Sequence, residues 1–172
     1  MRVLDLCAAP GGKTTHLAEL MENRGRIVAC DIDRKRLDTI ETLALRLGVK
    51  CIDTVLLQEN DDPPAGPFDA ALVDVPCSNT GVLGRRPEVR WRIRPSEFAH
   101  LIRLQTRLLI QAVERVRSGG VVVYSTCSIE PDENVGVVNA VRKACGLTLE
   151  AQHSAVPGMP SDGGYWARLR KP

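Results

Sequence analysis

The sequence predicts an α/β fold, a doubly wound and mostly parallel sheet with an antiparallel final strand pair, and three observations carry that expectation. Short apolar runs alternate with longer segments of helical periodicity, the pattern of strands joined by crossover helices. Aromatic residues make up only 3% of the 172 residues, so the core has to be built from Leu, Val, Ile and Ala, which suits a parallel sheet covered on both faces. Hydrophobic residues at 44% and charged residues at 26% are ordinary for a globular domain, and the length fits a single domain spanning residues 1–172.

Strands are expected at residues 2–6, 27–30, 51–57, 70–75 and 121–124, with helices at 14–22, 35–47 and 96–116 between them. The long helix has the strongest pattern. Pro95 and Ser96 supply a start signal, and Phe98, Leu101, Ile102, Gln105, Leu108, Leu109, Ala112, Val113 and Val116 recur at helical spacing. Ser118, Gly119 and Gly120 are expected to end it. Pro131, Asp132 and Glu133 open a further helix running to about residue 144, closed by Cys145 and Gly146. Residues 147–150 and 165–169 suit the antiparallel pair, and 152–164, rich in Gly, Pro and Ser, read as loop.

No apolar run approaches the length of about 18 residues that spans a membrane, and the N-terminus lacks a signal-peptide pattern, so a cytoplasmic location with no membrane partner is expected. The six cysteines, at 7, 30, 51, 77, 127 and 145, include no Cys-x-x-Cys, which argues against both zinc and a disulfide framework; no metal is expected. A net charge of +2 announces no nucleic-acid partner by itself, though a local cluster still can.

The turn Cys7-Ala8-Ala9-Pro10-Gly11-Gly12-Lys13-Thr14 follows the first strand, where doubly wound folds bind their ligands. Three cofactors compete for it. A dinucleotide site wants Gly-x-Gly-x-x-Gly, which is not there. A phosphate-binding Walker loop is met at Gly12, Lys13 and Thr14 but fails at its first glycine, which is Cys7, although Asp74 could pass as its second carboxylate. S-adenosylmethionine carries no phosphate and needs only the close backbone approach that Gly11 and Gly12 allow, with Asp31 at the end of the second strand for the ribose hydroxyls.

Taken in order, this turn, Asp74-Val75-Pro76-Cys77-Ser78-Asn79-Thr80-Gly81 and Ser125-Thr126-Cys127-Ser128 resemble the Sun-type family of RNA cytosine-5 methyltransferases, also called the Fmu or NOL family. The resemblance extends to Asp162-Gly163-Gly164-Tyr165-Trp166-Ala167, which looks like a variant of the family's closing segment. It implies a Rossmann-like methyltransferase sheet holding S-adenosylmethionine between Cys7, Ala8, Ala9, Pro10, Gly11, Gly12, Lys13, Asp31, Asp74 and an acidic residue after the third strand. Glu59 fits that last position by spacing, with Asp61 the alternative. Family members usually carry sequence ahead of the first strand, often an RNA-binding domain, so this chain is expected to be a catalytic core or a fragment.

Carbon 5 of cytosine is too weak a nucleophile to take a methyl group from a sulfonium unaided. A thiolate adding at carbon 6 makes the ring enamine-like, and a second group can then assist release. The resemblance assigns attack to Cys127 and release to Cys77. Asp74 could in addition hydrogen-bond the protonated ring nitrogen 3. Between the fourth strand and the long helix, Arg85, Arg86, Arg90, Arg92 and Arg94 surround Trp91, a composition suited to phosphate contact and base stacking; Arg85, Arg86, Arg90 and Trp91 are the RNA candidates, against a plain solvated loop with Trp91 capping the core. The expected partner is RNA, of the ribosomal class, with a single-stranded or bulged target, since the base has to leave any stack. The alternatives are a DNA cytosine-5 methyltransferase, a P-loop ATPase and a non-catalytic RNA-binding factor.

Overall fold

Val3, Leu4, Asp5 and Leu6 are all buried, so the first strand, β1 (Arg2–Leu6), is covered on both faces. Alternation then sorts the core. Leu4 and Leu6 join Val28 and Cys30 of β2 (Arg26–Asp31) on one face, while Val3 joins Ile27 on the other. The computed structural model describes residues 1–58, 61–158 and 161–172, excepting the side chains of Arg92 and Pro95. The remaining strands are β3 (Ile52–Leu56), β4 (Phe68–Asp74), β5 (Val116–Thr126), β6 (Thr148–Ala155) and β7 (Gly164–Arg170). Their order in the seven-stranded sheet is β3-β2-β1-β4-β5-β7-β6. The first five run parallel, and β7 lies antiparallel to both β5 and β6.

Helices α1 (Gly12–Leu20) and α2 (Arg34–Leu47) cover one face; α4 (Pro95–Arg115) and α5 (Val137–Cys145) cover the other. Leu37 and Ile40 of α2 and Leu109, Ala112 and Val113 of α4 are the buried stripes, each fully buried Leu or Ile contributing about 1.5–3 kcal/mol. The ends of α2 are fixed by Asp33, whose carboxylate accepts from the Lys35 amide at 2.9 Å, and by Gly48 in the left-handed region at φ 68°. Lys171 closes α4 by donating to the carbonyls of Val113 and Val116 at 2.8 and 2.7 Å.

Several boundaries differ from the sequence reading. The long helix stops at Arg115, because Val116, the first residue of β5, already pairs with Phe68 of β4. Ser118, Gly119 and Gly120 do not end a helix but form an irregularity inside the strand. A side chain on Gly120 would meet the Asp69 carbonyl at 2.8 Å and Val116 at 2.4 Å, so glycine lets the chain fold against itself there. Strand β6 runs on to Ala155, taking in residues read as loop; its side chains are mostly exposed on both faces, which leaves no alternation to read. The helix after Pro131 begins with a π-helical turn at Asp132–Gly136 before α5, and a short helix α3 (Val89–Arg92) lies in the arginine-rich segment. Strand β4 is the neighbour of β1, and β5 lies one strand further out. Among the described residues no helix is long and apolar enough to cross a membrane.

Candidate active site

The carboxyl ends of β1, β2, β4 and β5 open on one edge, bringing Cys7, Asp31, Asp74 and Cys127 to a common rim. The first turn is folded by its own amides. Ala8 donates to the Cys30 carbonyl and Gly11 to the Ala8 carbonyl, both at 2.9 Å, and Ala9 donates to Asp31 at 3.2 Å. Gly11 lies at φ 103°, and a Cβ there would press on Ile40 at 3.0 Å, so this position requires glycine. Gly12, by contrast, faces open space.

Two cavities share Cys7. One, of about 380 Å³, is walled by Cys7, Asp31, Ile32, Leu57, Leu104 and Leu108, with Asp61 also on its lining. The other, of about 280 Å³, is formed by Asp5, Ala8, Ala9, Pro10, Gly12, Lys13 and Asp74. Asp31 is buried, held by the Asp33 amide at 3.1 Å and by Arg36 at 3.6 Å in addition to Ala9. Asp74 is gripped from both sides, by Lys13 at 2.7 Å and by the Ser125 hydroxyl at 2.6 Å. Glu59, the expected third acidic position, lies outside the described residues. A Walker loop needs its amides free for phosphate, and those of Ala8, Ala9 and Gly11 are already bonded within the protein.

Cys77 and Cys127 meet at the same edge, their Sγ atoms 3.2 Å apart. The hydrogen bond from Cys77 holds the Cys127 thiol below its ordinary range against the burial that raises it. The same bond, together with burial, drives Cys77 far above the ordinary thiol range. Cys7 differs: burial, then the carboxylates of Asp31, Asp5 and Asp74, push it up to about 12, so it is a neutral wall of the cavities. Cys30, also pushed up to about 12 by burial, and Cys51 are core residues, and Cys145 packs against the core.

The serine after each cysteine is what holds the pair together. Glu133 is fully buried and its carboxyl group accepts from the Ser78 amide at 2.9 Å, from the Ser78 hydroxyl, from the Ser128 hydroxyl at 2.6 Å and from Gln105 at 2.8 Å. Gln105 also donates to the Pro76 carbonyl at 2.9 Å. One side chain thus ties the loop after β4, the end of β5 and helix α4. Gly81 adds a backbone contact, donating to the Cys127 carbonyl at 3.0 Å, and a Cβ there would sit 2.4 Å from the Gly163 carbonyl oxygen. Asn79 completes the contact: its Oδ1 accepts from the Cys127 thiol at 2.9 Å.

On the arginine-rich segment, Arg85 pairs with Asp162 at 3.0 Å and Arg86 with Glu88 at 3.2 Å. Arg90 is exposed, and Trp91, at 89% exposure, does not cap the core. Among the described residues no group of three or more His, Cys, Asp or Glu side chains could hold a metal ion.

Residues 1–155 match the family model described as 16S rRNA methyltransferase RsmB/F. The chain belongs to the RsmB/F family. Over 135 residues it is 47% identical to the probable ribosomal RNA small subunit methyltransferase B of Synechocystis sp., a match covering 77% of this chain and 30% of that protein. The ribosomal RNA small subunit methyltransferase B of Salmonella arizonae is 41% identical over 183 residues, 98% of this chain and 42% of the relative. Among solved structures, NSun6 from Pyrococcus horikoshii with SFG superposes at a TM-score of 0.88 and 34% identity, over 98% of this chain and 47% of that one. The chain therefore spans less than half the length of these RsmB/F relatives. Glu133, Ser78, Ser128 and Asn79 are the residues of this candidate site in the RsmB/F chain that sequence reasoning gave no task. Glu133 in a first helical turn reads as a helix-start acid; the one available signal was Gln105, a polar residue at an apolar position of the α4 stripe.

Proposed function

We propose that this chain is the catalytic module of an RNA cytosine-5 methyltransferase that uses S-adenosylmethionine and acts on ribosomal RNA, with Cys127 as nucleophile and Cys77 as the group assisting release. The observation that carries the reading is the contact of two thiols, 3.2 Å apart, beside two cavities at the carboxyl edge of a parallel sheet. The RsmB/F membership and the SFG bound to NSun6, an analogue of S-adenosylmethionine, support the choice of cofactor.

The residues present fit that ligand. Asp31 offers a buried carboxylate on the lining of the larger cavity, whose Ile32, Leu57, Leu104 and Leu108 suit a base, and the smaller one presents the polar groups of Asp5 and of the Lys13–Asp74 ion pair to the ligand's amino-acid end. Bound there, S-adenosylmethionine supplies an electrophilic methyl group. The chain's own part begins with Cys127. As the thiolate, its sulfur forms a bond to carbon 6 of the cytosine, the carbon 5–carbon 6 electron pair shifts through the ring to nitrogen 3, which takes up a proton, and Lys13-paired Asp74 can accept a hydrogen bond from that N–H. After carbon 5 has been methylated, transfer of its proton to water lets the C–H electron pair restore the double bond, and the carbon 6–sulfur pair leaves with Cys127 as its thiolate. Cys77 stabilises the departing thiolate through the S–H hydrogen bond it already makes. Trp91 and the exposed Arg90 offer a stacking face and a phosphate contact beside the loop that carries Cys77.

The test is transfer of a labelled methyl group into unmodified small-subunit ribosomal RNA. Cys127→Ser is expected to abolish transfer, and Cys77→Ala to accumulate a protein–RNA adduct seen as a slow band on a denaturing gel. Wild-type transfer by Cys127→Ser, or an adduct mapped to Cys77, would overturn the assignment; the latter is the outcome expected of an enzyme of the DNA cytosine-5 type.

A further inference from the structure

The Asn79 amide touches both thiol residues, and the proposed mechanism leaves it without a task. Its backbone is left-handed, at φ 62° and ψ 23°, a region in which Asn is enriched among residues other than glycine. Nδ2 donates to the Cys77 carbonyl at 2.8 Å, which fixes the amide's orientation. Oδ1 is therefore the atom that faces Cys127, accepting its S–H at 2.9 Å, while Cys77 Sγ touches the same sulfur at 3.2 Å.

An amide oxygen has no proton to give. It accepts a bond from a thiol and repels a thiolate, so it stabilises Cys127 with its proton on, whereas the Cys77 S–H can donate to Cys127 with its proton off. We propose that Asn79 is a positioning residue that keeps the Cys127 thiol protonated and aimed at rest, and so sets the pH at which this sulfur becomes nucleophilic. Its importance for the reaction rests on the reading of Cys127 as the attacking thiol. The titratable and charged groups that act on Cys127 are Cys77 from the loop after β4, Asp74 at the end of β4 and Lys13 on α1. All three stay in place in the variants that follow.

The experiment is the pH dependence of Cys127 alkylation by iodoacetamide in the whole chain, read by mass spectrometry of the peptide that carries this cysteine. Asn79→Gly tolerates the left-handed backbone and removes the amide. Asn79→Asp keeps an acceptor oxygen and adds negative charge beside the sulfur. For Asn79→Gly the alkylation midpoint is expected to fall by about one pH unit, the size of a typical neighbour effect. For Asn79→Asp it is expected at or above the wild-type value. A midpoint in Asn79→Gly equal to or above wild type overturns the proposal, as does an Asn79→Asp midpoint that falls with it. Alkylation needs neither RNA nor cofactor. A functional Cys127→Ser enzyme would thus remove the attack assignment and leave the alkylation result standing, which keeps the two failures apart.

Discussion

Asp5 is the most strongly perturbed carboxyl group of the site. It is buried beneath the first turn; Oδ2 accepts from the Thr14 hydroxyl at 2.7 Å, and Oδ1 has no hydrogen-bond partner among the described residues. Burial pushes its carboxyl group up to about 7, against the lowering by Thr14. The sign follows from linkage. The folded chain keeps a proton that the unfolded chain gives up near 3.8, so the contribution of Asp5 is full below that pH and is lost as the pH rises to about 7. Asp5→Asn cannot ionise and retains a carbonyl for Thr14. Its stability relative to wild type should therefore climb between pH 4 and 7, by up to about 1.4 kcal/mol for each pH unit crossed. Urea unfolding at several pH values measures this; parallel curves for the two proteins would exclude it. In the sequence Asp5 is one acid within a short apolar strand, and nothing there shows the depth of the turn that covers it.

At the scale of elements, the two Cys-Ser steps are joined through the π-helical turn at Asp132–Gly136. Its Glu133 gathers donors from Ser78, Ser128 and Gln105, and its backbone carbonyl accepts from the Tyr124 hydroxyl at 2.6 Å. Glu133→Ala leaves those donors buried without their acceptor, at a cost on the order of 3 kcal/mol or more. Denaturant unfolding should show that loss, and methyl transfer should fall although both thiols remain; a destabilisation under about 1 kcal/mol would show that the knot does not hold the pair. The strands and long helices of this assembly were legible because apolar periodicity repeats over many residues. The knot was not. Its partners are single polar residues between 5 and 55 positions apart in sequence, and only the folded sheet brings them together. The same holds at Ser118–Gly120, where a helix-stop signal and a strand irregularity use the same residues.

For the molecule as a whole, the open question is whether a chain shorter than half of its RsmB/F relatives holds a complete cofactor site. The observed order β3-β2-β1-β4-β5 assembles Asp5, Cys7, Asp31 and Asp74 from three strand ends, all within this chain. The added length of the relatives is not needed to form these cavity walls. S-adenosylmethionine at about 100 times its dissociation constant should then stabilise the isolated chain by about 2.7 kcal/mol. For a domain of this size that is a rise in melting temperature of roughly 5–10 °C. Magnesium with ATP should give no rise, because the amides of Ala8, Ala9 and Gly11 are committed within the turn. Asp31→Asn should shrink the rise; because the Ala9 and Asp33 amides use separate oxygens of Asp31 and an asparagine keeps only one acceptor, the ligand-free melting temperature should also fall, and the shrinkage is read against that lower baseline. A scan in which the ATP complex melts higher and the S-adenosylmethionine complex does not would assign the turn to phosphate and take the methyl-transfer reading down with it.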